Sequence, residues 1–370
     1  MKKNYNCLII GNNTRHAFIF HYFCSNVFLA IDRNRSIKNR LTNEIENYHI
    51  LYTNDNKKLF KYVHRIIEIK KWVKTNDVSI IFTNTKFDLI CCKIALLFNK
   101  HKPLILCTFH NSLAWENTFK IKLMAFIIKR CSDGCICLAS QLYAILNNYI
   151  PSNRLLYQPN SIDCSNISCK ESYVLLATKP IDIVYVATIY KDKNQIFALQ
   201  VVLSLICKYN IHMHFIGEIT DEVYYQSLID FINKNNLSSL VTFHGSVKNE
   251  DLRSKLLKDF DIYFSPSIKE MSPVNILEAK ACGLPIVASH AFGQQDLIED
   301  GIDGLLYEDG NLADASSKIQ RIISDVNIRT QLGKNAINSS FVLKTPEIYS
   351  KELYNFISKL SNAKKKYKNI

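Results

Sequence analysis

Residues 270 to 289, Glu270-Met-Ser-Pro-Val-Asn-Ile-Leu-Glu278-Ala-Lys-Ala-Cys-Gly-Leu-Pro-Ile-Val-Ala-Ser289, place two carboxylates on either side of a helix start. Ser272-Pro273 reads as an N-cap followed by proline at the first helical position, and Gly283 before Leu284-Pro285 reads as the stop, so a helix is predicted from about 273 to 282. The start of a helix offers N–H groups without intrahelical partners and the positive end of a dipole, so Ser272, Pro273 and Val274 form a seat for a diphosphate. Glu278 lies in the second turn, and helical side chains lean toward the N-terminus, back toward that anion. Glu270 lies in the loop just before. A carboxylate repels a diphosphate but accepts hydrogen bonds from sugar hydroxyls, so the pair suits a nucleotide sugar, one glutamate reading ribose and the other the sugar to be moved. A lone glutamate on a helix is more often a solvated surface residue; the paired spacing with Pro273 between is what favours a site.

The elements that would position these residues follow from the hydrophobic pattern. Short apolar runs alternate with longer amphipathic stretches, the pattern of parallel strands joined by helical crossovers. One series has strands near 6–10, 27–31, 78–83, 104–109 and 134–138, and a helix over 57–74 whose Phe60, Val63, Ile66, Ile67 and Val73 share one face, read as core-facing. A second series runs through 181–187, 212–217, 240–243, 261–265, 285–288 and 304–307. Turn residues in Gln158-Pro-Asn-Ser-Ile-Asp163 mark the change from one to the other. The predicted organisation is a first doubly wound domain over 1–165, a linker over 166–178, a second over 179–345, and a C-terminal helix with a basic tail over 346–370 that packs back toward the first domain. Ligands of open parallel sheets bind beyond the carboxyl ends of the strands, so two such domains are expected to face each other across a cleft.

At 370 residues, with 48% hydrophobic and 21% charged residues, the composition is that of an ordinary folded protein and excludes disorder. The net charge of +13 is lopsided: residues 1 to 150 hold 22 Lys and Arg against 9 Asp and Glu, while residues 151 to 370 hold 24 of each. A basic half beside a neutral half points away from nucleic acid and toward an anionic lipid surface or a diphosphate-linked substrate on one side only. The stretch 117–130 carries Lys120, Lys122, Lys129 and Arg130 beside Phe119, Leu123, Phe126 and Ile127, a pattern suited to anionic headgroups; the lysines of 57–74 read as a solvated rim. Twelve cysteines scattered through apolar segments read as reduced thiols. The apolar stretch after Met1-Lys-Lys is too short for a signal sequence, and none is long enough to span a bilayer. The expected place is the cytoplasm, including the inner face of the cytoplasmic membrane.

Glu-x7-Glu with Pro273 between, followed by Ala-Cys-Gly-Leu-Pro-Ile-Val-Ala, resembles the signature of the family-4 retaining glycosyltransferases of the GT-B fold, and in particular the group 1 type that builds polysaccharides and lipid-linked glycans. Other segments extend the likeness over roughly residues 181 to 310. Val186-Ala-Thr188-Ile-Tyr-Lys-Asp-Lys193 resembles the family's strand and turn with its phosphate-binding lysine at Lys193, although Thr188 stands at the usual arginine position and supplies a hydroxyl without a charge. Glu218 and Gly245 fall in two strand-to-glycine turns that resemble the family's contacts near the nucleotide base. Gly293-Gln-Gln-Asp296 is similar to its Gly-x-x-Glu loop, and His110 to its cleft histidine, which contacts the donor sugar. Gln158-Pro-Asn160-Ser-Ile-Asp163 resembles its domain-junction motif, with a structural role.

The resemblance implies two Rossmann-like domains in a GT-B arrangement. It also implies transfer of a hexosyl unit from a UDP- or GDP-sugar to a glycan or polyprenyl-diphosphate-linked acceptor, with retention and without a metal. Glu270, His110 and Lys193 are then the catalytic candidates, and Glu278, Thr188, Ser272, Pro273, Val274, Glu218 and Gly245 the nucleotide-sugar contacts. Asp259-Phe-Asp261 has the look of a metal-binding pair but reads as a helix end and a strand start, and Cys131-Ser-Asp-Gly-Cys135-Ile-Cys137 lacks the second ligand pair of a zinc site. Two alternatives of other classes stay open: an epimerase or phosphorylase of the same architecture, and a catalytically silent nucleotide- or polyanion-binding protein.

Overall fold

The computed structural model describes residues 5–10, 19–32, 48–53, 61–100, 102–109, 117–164, 167–247, 256–342 and 345–366. The chain divides into two compact units, residues 1–159 with 346–370 and residues 160–345.

In the first unit a parallel sheet is built from β1 (Tyr5–Ile10), β2 (Cys24–Asp32), β3 (Tyr48–Thr53), β4 (Ile80–Thr83), β5 (Leu104–Thr108), β6 (Gly134–Cys137) and β7 (Leu155–Tyr157). Their spatial order is β3-β2-β1-β4-β5-β6-β7. β4, β5 and β6 are buried along their whole length, as strands covered on both faces must be. The crossovers include α1 (Lys61–Thr75), α2 (Lys86–Ala95), α3 (Thr118–Cys131) and α4 (Ser140–Asn147). α2 is capped by Thr85, whose Oγ1 accepts the Asp88 N–H at 3.0 Å, and α3 by Asn117, whose Oδ1 accepts the Lys120 N–H at 2.9 Å. β3 and β7 are the strands that the pattern of the sequence did not single out.

α1 corrects the sequence reading. Its buried residues are Arg65, Ile69, Trp72 and Val73, whereas Val63 and Ile67, expected on the core face, are exposed. The stripe is rotated because Arg65 goes inside, where its guanidinium lies 3.8 Å from the Asp88 carboxylate.

The second unit has its own parallel sheet of β8 (Ile181–Val186), β9 (Ile211–Ile216), β10 (Val241–Phe243), β11 (Ile262–Ser265), β12 (Ile286–Ser289) and β13 (Leu305–Tyr307), in the order β10-β9-β8-β11-β12-β13. The direction of winding reverses between β8 and β11, which makes the carboxyl ends of these two strands the switch point where such sheets bind ligands. Helices α5 (Gln195–Leu205), α6 (Glu222–Lys234), α7 (Val274–Ala281), α8 (Leu312–Ser324) and α9 (Val326–Val342) belong to this unit, and the core runs from Ile183 on β8 to Leu332 on α9.

The segment expected to be a linker, 166–178, is part of the second unit. Its backbone and side chains are tied down: the Lys170 N–H donates to Cys282 O at 2.8 Å, Lys170 Nζ to Phe260 O at 2.7 Å, and the Tyr173 hydroxyl to Gly283 O at 3.0 Å. Helix α10 (Pro346–Lys366) counts with the first unit. There Tyr354 packs edge-on against Tyr5 and Phe23, Gln158 Nε2 donates to Tyr349 O at 3.0 Å, and Lys364 pairs with Asp133 at 2.8 Å. Among the described residues no helix is long and apolar enough to cross a membrane.

Candidate active site

The site lies at the carboxyl ends of β8 and β11. After β8 the chain runs through Ala187-Thr188-Ile189-Tyr190 into a single 3-10 turn, Lys191–Lys193, and Asn194 then takes the left-handed conformation that starts α5. After β11 it runs through residues 266–270 and Met271-Ser272-Pro273 into α7. The two loops are joined at Asp192, whose carbonyl accepts from the Ile268 N–H and the Ser267 hydroxyl, both at 3.3 Å, and whose carboxylate pairs with Lys269 at 3.2 Å. Their outcome is an ion pair between Lys193 Nζ and Glu270 Oε1, both side chains mostly shielded from solvent. Lys193 also stands 5.8 Å from the centre of the Tyr190 ring. Tyr185 on β8 stays a neutral phenol: burial pushes its pKa far up, and the charge of Glu270 adds to the shift.

The helix start is built differently from the expected cap. α7 begins at Val274 with Pro273 in the cap position, one residue later than predicted. Ser272 does not cap the helix, because its hydroxyl accepts the Asn160 N–H at 2.8 Å while Asn160 Nδ2 donates to Ser272 O at 2.7 Å. Asn160, from the junction motif, thus clamps the loop to its own backbone. Asn275, in the first turn of α7, donates to Val186 O at the end of β8 and accepts its neighbour's N–H at 3.1 Å, tying the helix start to the strand. The helix stops as predicted: Gly283 has φ +78°, its N–H bonds Lys280 O at 2.9 Å, and the Leu284 N–H bonds Ala279 O at 3.0 Å.

Glu278 lies one turn into α7, half-buried and on the same helix that follows Glu270. Two residues on, Lys280 is buried and donates to Leu297 O at 2.6 Å and to Asp303 Oδ2 at 2.7 Å, with Asp303 Oδ1 accepting the Glu299 N–H at 2.9 Å. Beneath the Glu270 loop lies a second buried polar group. Gln294 accepts from the Ser265 hydroxyl at 2.6 Å and donates to Ser267 O at 2.8 Å and Ser289 Oγ at 2.5 Å, and Ser289 donates to Ser267 O at 2.7 Å. Gly293 is required beside it, since a Cβ there would sit 2.5 Å from the Met271 backbone at a φ of +75°.

Thr188, Glu218 and Gly245 gather at the carboxyl ends of β8, β9 and β10. The Ile189 N–H donates to Glu218 O and the Gly217 N–H to Gly245 O, both at 2.8 Å, while Thr188 O accepts from Gln195 Nε2 at 3.0 Å. Among the described glycines Gly217 is the closest approach, for a Cβ would stand 1.8 Å from Ala187 O. Sequence reasoning gave Asn275 no role at this site, and Gln294 and Gly217 only a place within longer motifs.

His110 lies outside the described residues. Asp261 stands just before β11, at the opposite end of the strand from Glu270. There its carboxylate accepts the Asp182 N–H at 3.0 Å and lies 3.7 Å from Lys170, and burial raises its pKa. Among the described residues no group of three His, Cys, Asp or Glu is arranged to hold a metal ion.

The two Rossmann-like sheets are those of the GT-B fold. The fold match is extensive: Anabaena Alr3699/HepE in complex with UDP and glucose superposes with a TM-score of 0.80 over 96% of this chain and 100% of that chain, at 15% identity. Residues 171–339 match the model of the family described as glycosyl transferases group 1. A UDP-Gal:alpha-D-GlcNAc-diphosphoundecaprenol alpha-1,3-galactosyltransferase of Escherichia coli is 23% identical over 323 residues, 80% of each chain. An N,N'-diacetylbacillosaminyl-diphospho-undecaprenol alpha-1,3-N-acetylgalactosaminyltransferase of Campylobacter jejuni is 44% identical, but that match spans 82 residues, 22% of each chain. Residues 171–339 resemble the glycosyl transferases group 1, and the activity these matches support for the chain is glycosyl transfer.

Proposed function

We propose that the chain moves a hexosyl unit from a UDP- or GDP-sugar to a glycan carried on a polyprenyl diphosphate, with retention at the anomeric carbon and without a metal. The observation that carries this reading is the Lys193–Glu270 pair at the switch point, beside the start of α7. In the structure each residue neutralises the other. When a nucleotide diphosphate sugar enters, its diphosphate takes over Lys193 and the first N–H groups of α7, where the helix dipole adds positive potential. Glu270, released from the lysine, accepts hydrogen bonds from the hydroxyls of the hexosyl unit, and Glu278 reads the ribose.

As the bond between the anomeric carbon and the diphosphate breaks, negative charge grows on the leaving oxygens. A fixed ammonium and a fixed helix start stabilise that charge without reorganising, the role a divalent metal would otherwise fill. The acceptor hydroxyl then enters on the face the diphosphate leaves, so configuration is retained. The named acceptors of the Escherichia coli and Campylobacter jejuni relatives, both diphosphoundecaprenol-linked, support a lipid-linked acceptor and a working place at the inner face of the cytoplasmic membrane.

The test is transfer from a panel of UDP- and GDP-sugars to a polyprenyl-diphosphate-linked monosaccharide in excess EDTA, with the product linkage read by proton NMR. Transfer that persists in EDTA with the donor's anomeric configuration supports the reading. Activity lost to EDTA and restored by Mn²⁺, or an inverted linkage, sinks it.

A further inference from the structure

The first unit carries an apolar surface with no role in its core. α1, α2 and α3 lie side by side on one face of its sheet, and each begins at the carboxyl end of the strands. Each helix start presents an exposed aromatic ring next to a lysine: Tyr62 after Lys61, Phe87 after Lys86, and Phe119 before Lys120. The rings are 46%, 49% and 74% exposed. Tyr62 and Phe87 lie against each other at 5.2 Å, and Lys86 stands 5.4 Å from the Phe87 ring. Val63 and Ile67 on α1 and Leu123 and Phe126 on α3 continue the exposed apolar surface.

Charge says what such a surface meets. Lys61, Lys86, Lys120 and Lys122 lie at the starts of α1, α2 and α3, beside the three rings, and residues 61–131 as a whole contain 13 Lys and Arg against 4 Asp and Glu. Of these acids, Asp88 is occupied by Arg65 and the Thr85 hydroxyl, and Glu68 lies 3.8 Å from His64. Aromatic rings beside lysines at the helix starts match the boundary between headgroups and acyl chains of an anionic bilayer, where rings enter and ammonium groups stay with the phosphates.

We propose that Tyr62, Phe87 and Phe119, at the carboxyl-end rim of the first unit, are the residues through which this chain inserts into an anionic phospholipid surface. The proposal draws on the lipid-linked acceptor reading for its purpose: it would hold the carboxyl ends of this sheet, the edge where such sheets bind ligands, at the level of the headgroups that carry the acceptor. It also separates two exposed apolar sites in the same unit. Leu97 and Phe98 follow α2 at the opposite end of the strands and take no part, although Phe98 is 95% exposed.

The experiment is vesicle co-sedimentation of the full chain with phosphatidylcholine alone and with phosphatidylcholine containing phosphatidylglycerol. Three proteins are compared: wild type, the triple variant Tyr62→Ser/Phe87→Ser/Phe119→Ser, and the double variant Leu97→Ser/Phe98→Ser. The expected result is binding to the anionic vesicles, a loss of at least tenfold in partitioning for the triple variant, and no loss for the double variant. Far-UV circular dichroism matching wild type shows that the variants remain folded. Equal wild-type binding to both vesicles, triple-variant binding at the wild-type level, or an equal loss in the double variant overturns the proposal. So does a wild-type dimer, seen by analytical ultracentrifugation, that the triple variant dissolves, because the face would then belong to a second copy. Vesicle binding needs no turnover, so a chain that binds as expected yet transfers no sugar leaves this inference standing and removes the functional one.

Discussion

Replacing Lys280 by methionine, which keeps much of its length and removes its charge, should be among the most damaging single changes in the second unit. The lysine and Asp303 side chains are only 2% and 5% exposed, and the ammonium holds both the Asp303 carboxylate and the Leu297 carbonyl. Lys280→Met leaves a carboxylate buried without its counter-charge and a carbonyl without its donor. Breaking a buried pair from one side costs about 3–5 kcal/mol. Asp303→Asn should cost a comparable amount, since it leaves the ammonium as the unbalanced charge. The double variant Lys280→Met/Asp303→Asn buries no charge, and its remaining loss is one hydrogen bond to Leu297 O, about 1–2 kcal/mol.

The assay is urea unfolding followed by far-UV circular dichroism and by tryptophan fluorescence in parallel. Both tryptophans, Trp72 and Trp115, belong to the first unit, so fluorescence reports that unit while circular dichroism reports both. With a slope of about 2 kcal/mol/M, each single variant should lower the midpoint of the second unit by roughly 1.5–2.5 M urea, and the double variant by less than either. A double variant that loses the sum of the two single losses would refute the reasoning, because independent sites add and a charge pair does not.

Three further outcomes follow from the site. Glu278→Gln should raise the donor KM at least tenfold with a smaller change in kcat, measured by initial rates at saturating acceptor; an unchanged KM would remove Glu278 from the ribose. Gly217→Ala should give little folded protein, because its methyl would overlap Ala187 O, and circular dichroism melting checks this. Asn160→Ala removes the side-chain hydrogen bond to Ser272 O, leaving the backbone N–H bond to the Ser272 hydroxyl in place, and should lower the urea midpoint of the second unit by the equivalent of about 1–3 kcal/mol, with donor KM rising as the Glu270 loop loosens; wild-type stability would show that the side-chain clamp is idle.

What was legible in the sequence is what local chemistry decides. All six strands of the second sheet appear as apolar runs, because parallel strands covered on both faces need nearly continuous hydrophobicity. The α7 stop was readable from Gly283, since a left-handed residue there is demanded by the helix end itself. β7 escaped notice with only three residues, and β3 because Tyr48-His-Ile-Leu-Tyr-Thr53 lies between polar stretches. The face of α1 was misread because apolar content favours Val63 and Ile67, whereas an ion pair with Asp88 draws Arg65 inside.

Motif spacing singled out Lys193, Glu270 and Glu278 as candidates. It did not reveal the support beneath them. Ser265, Ser289 and Gln294 come from β11, β12 and the loop after it, and only the order of the parallel sheet brings them together. The displacement of the α7 cap by one residue has a similar origin, for Ser272 is taken by Asn160, 112 positions earlier in the chain.

The central claim is that Lys193, rather than a metal, stabilises the departing diphosphate. The most direct measurement is kcat/KM for sugar transfer by wild type and Lys193→Gln, each in excess EDTA and in Mg²⁺ or Mn²⁺. A screened ammonium within about 4 Å of the leaving oxygens contributes up to about 4 kcal/mol at an effective dielectric near 20, so a loss of two to three orders of magnitude is predicted for the variant. Wild-type rates should be equal with and without metal. A variant that retains wild-type kcat/KM, or a wild type that turns over only with metal present, would contradict the claim.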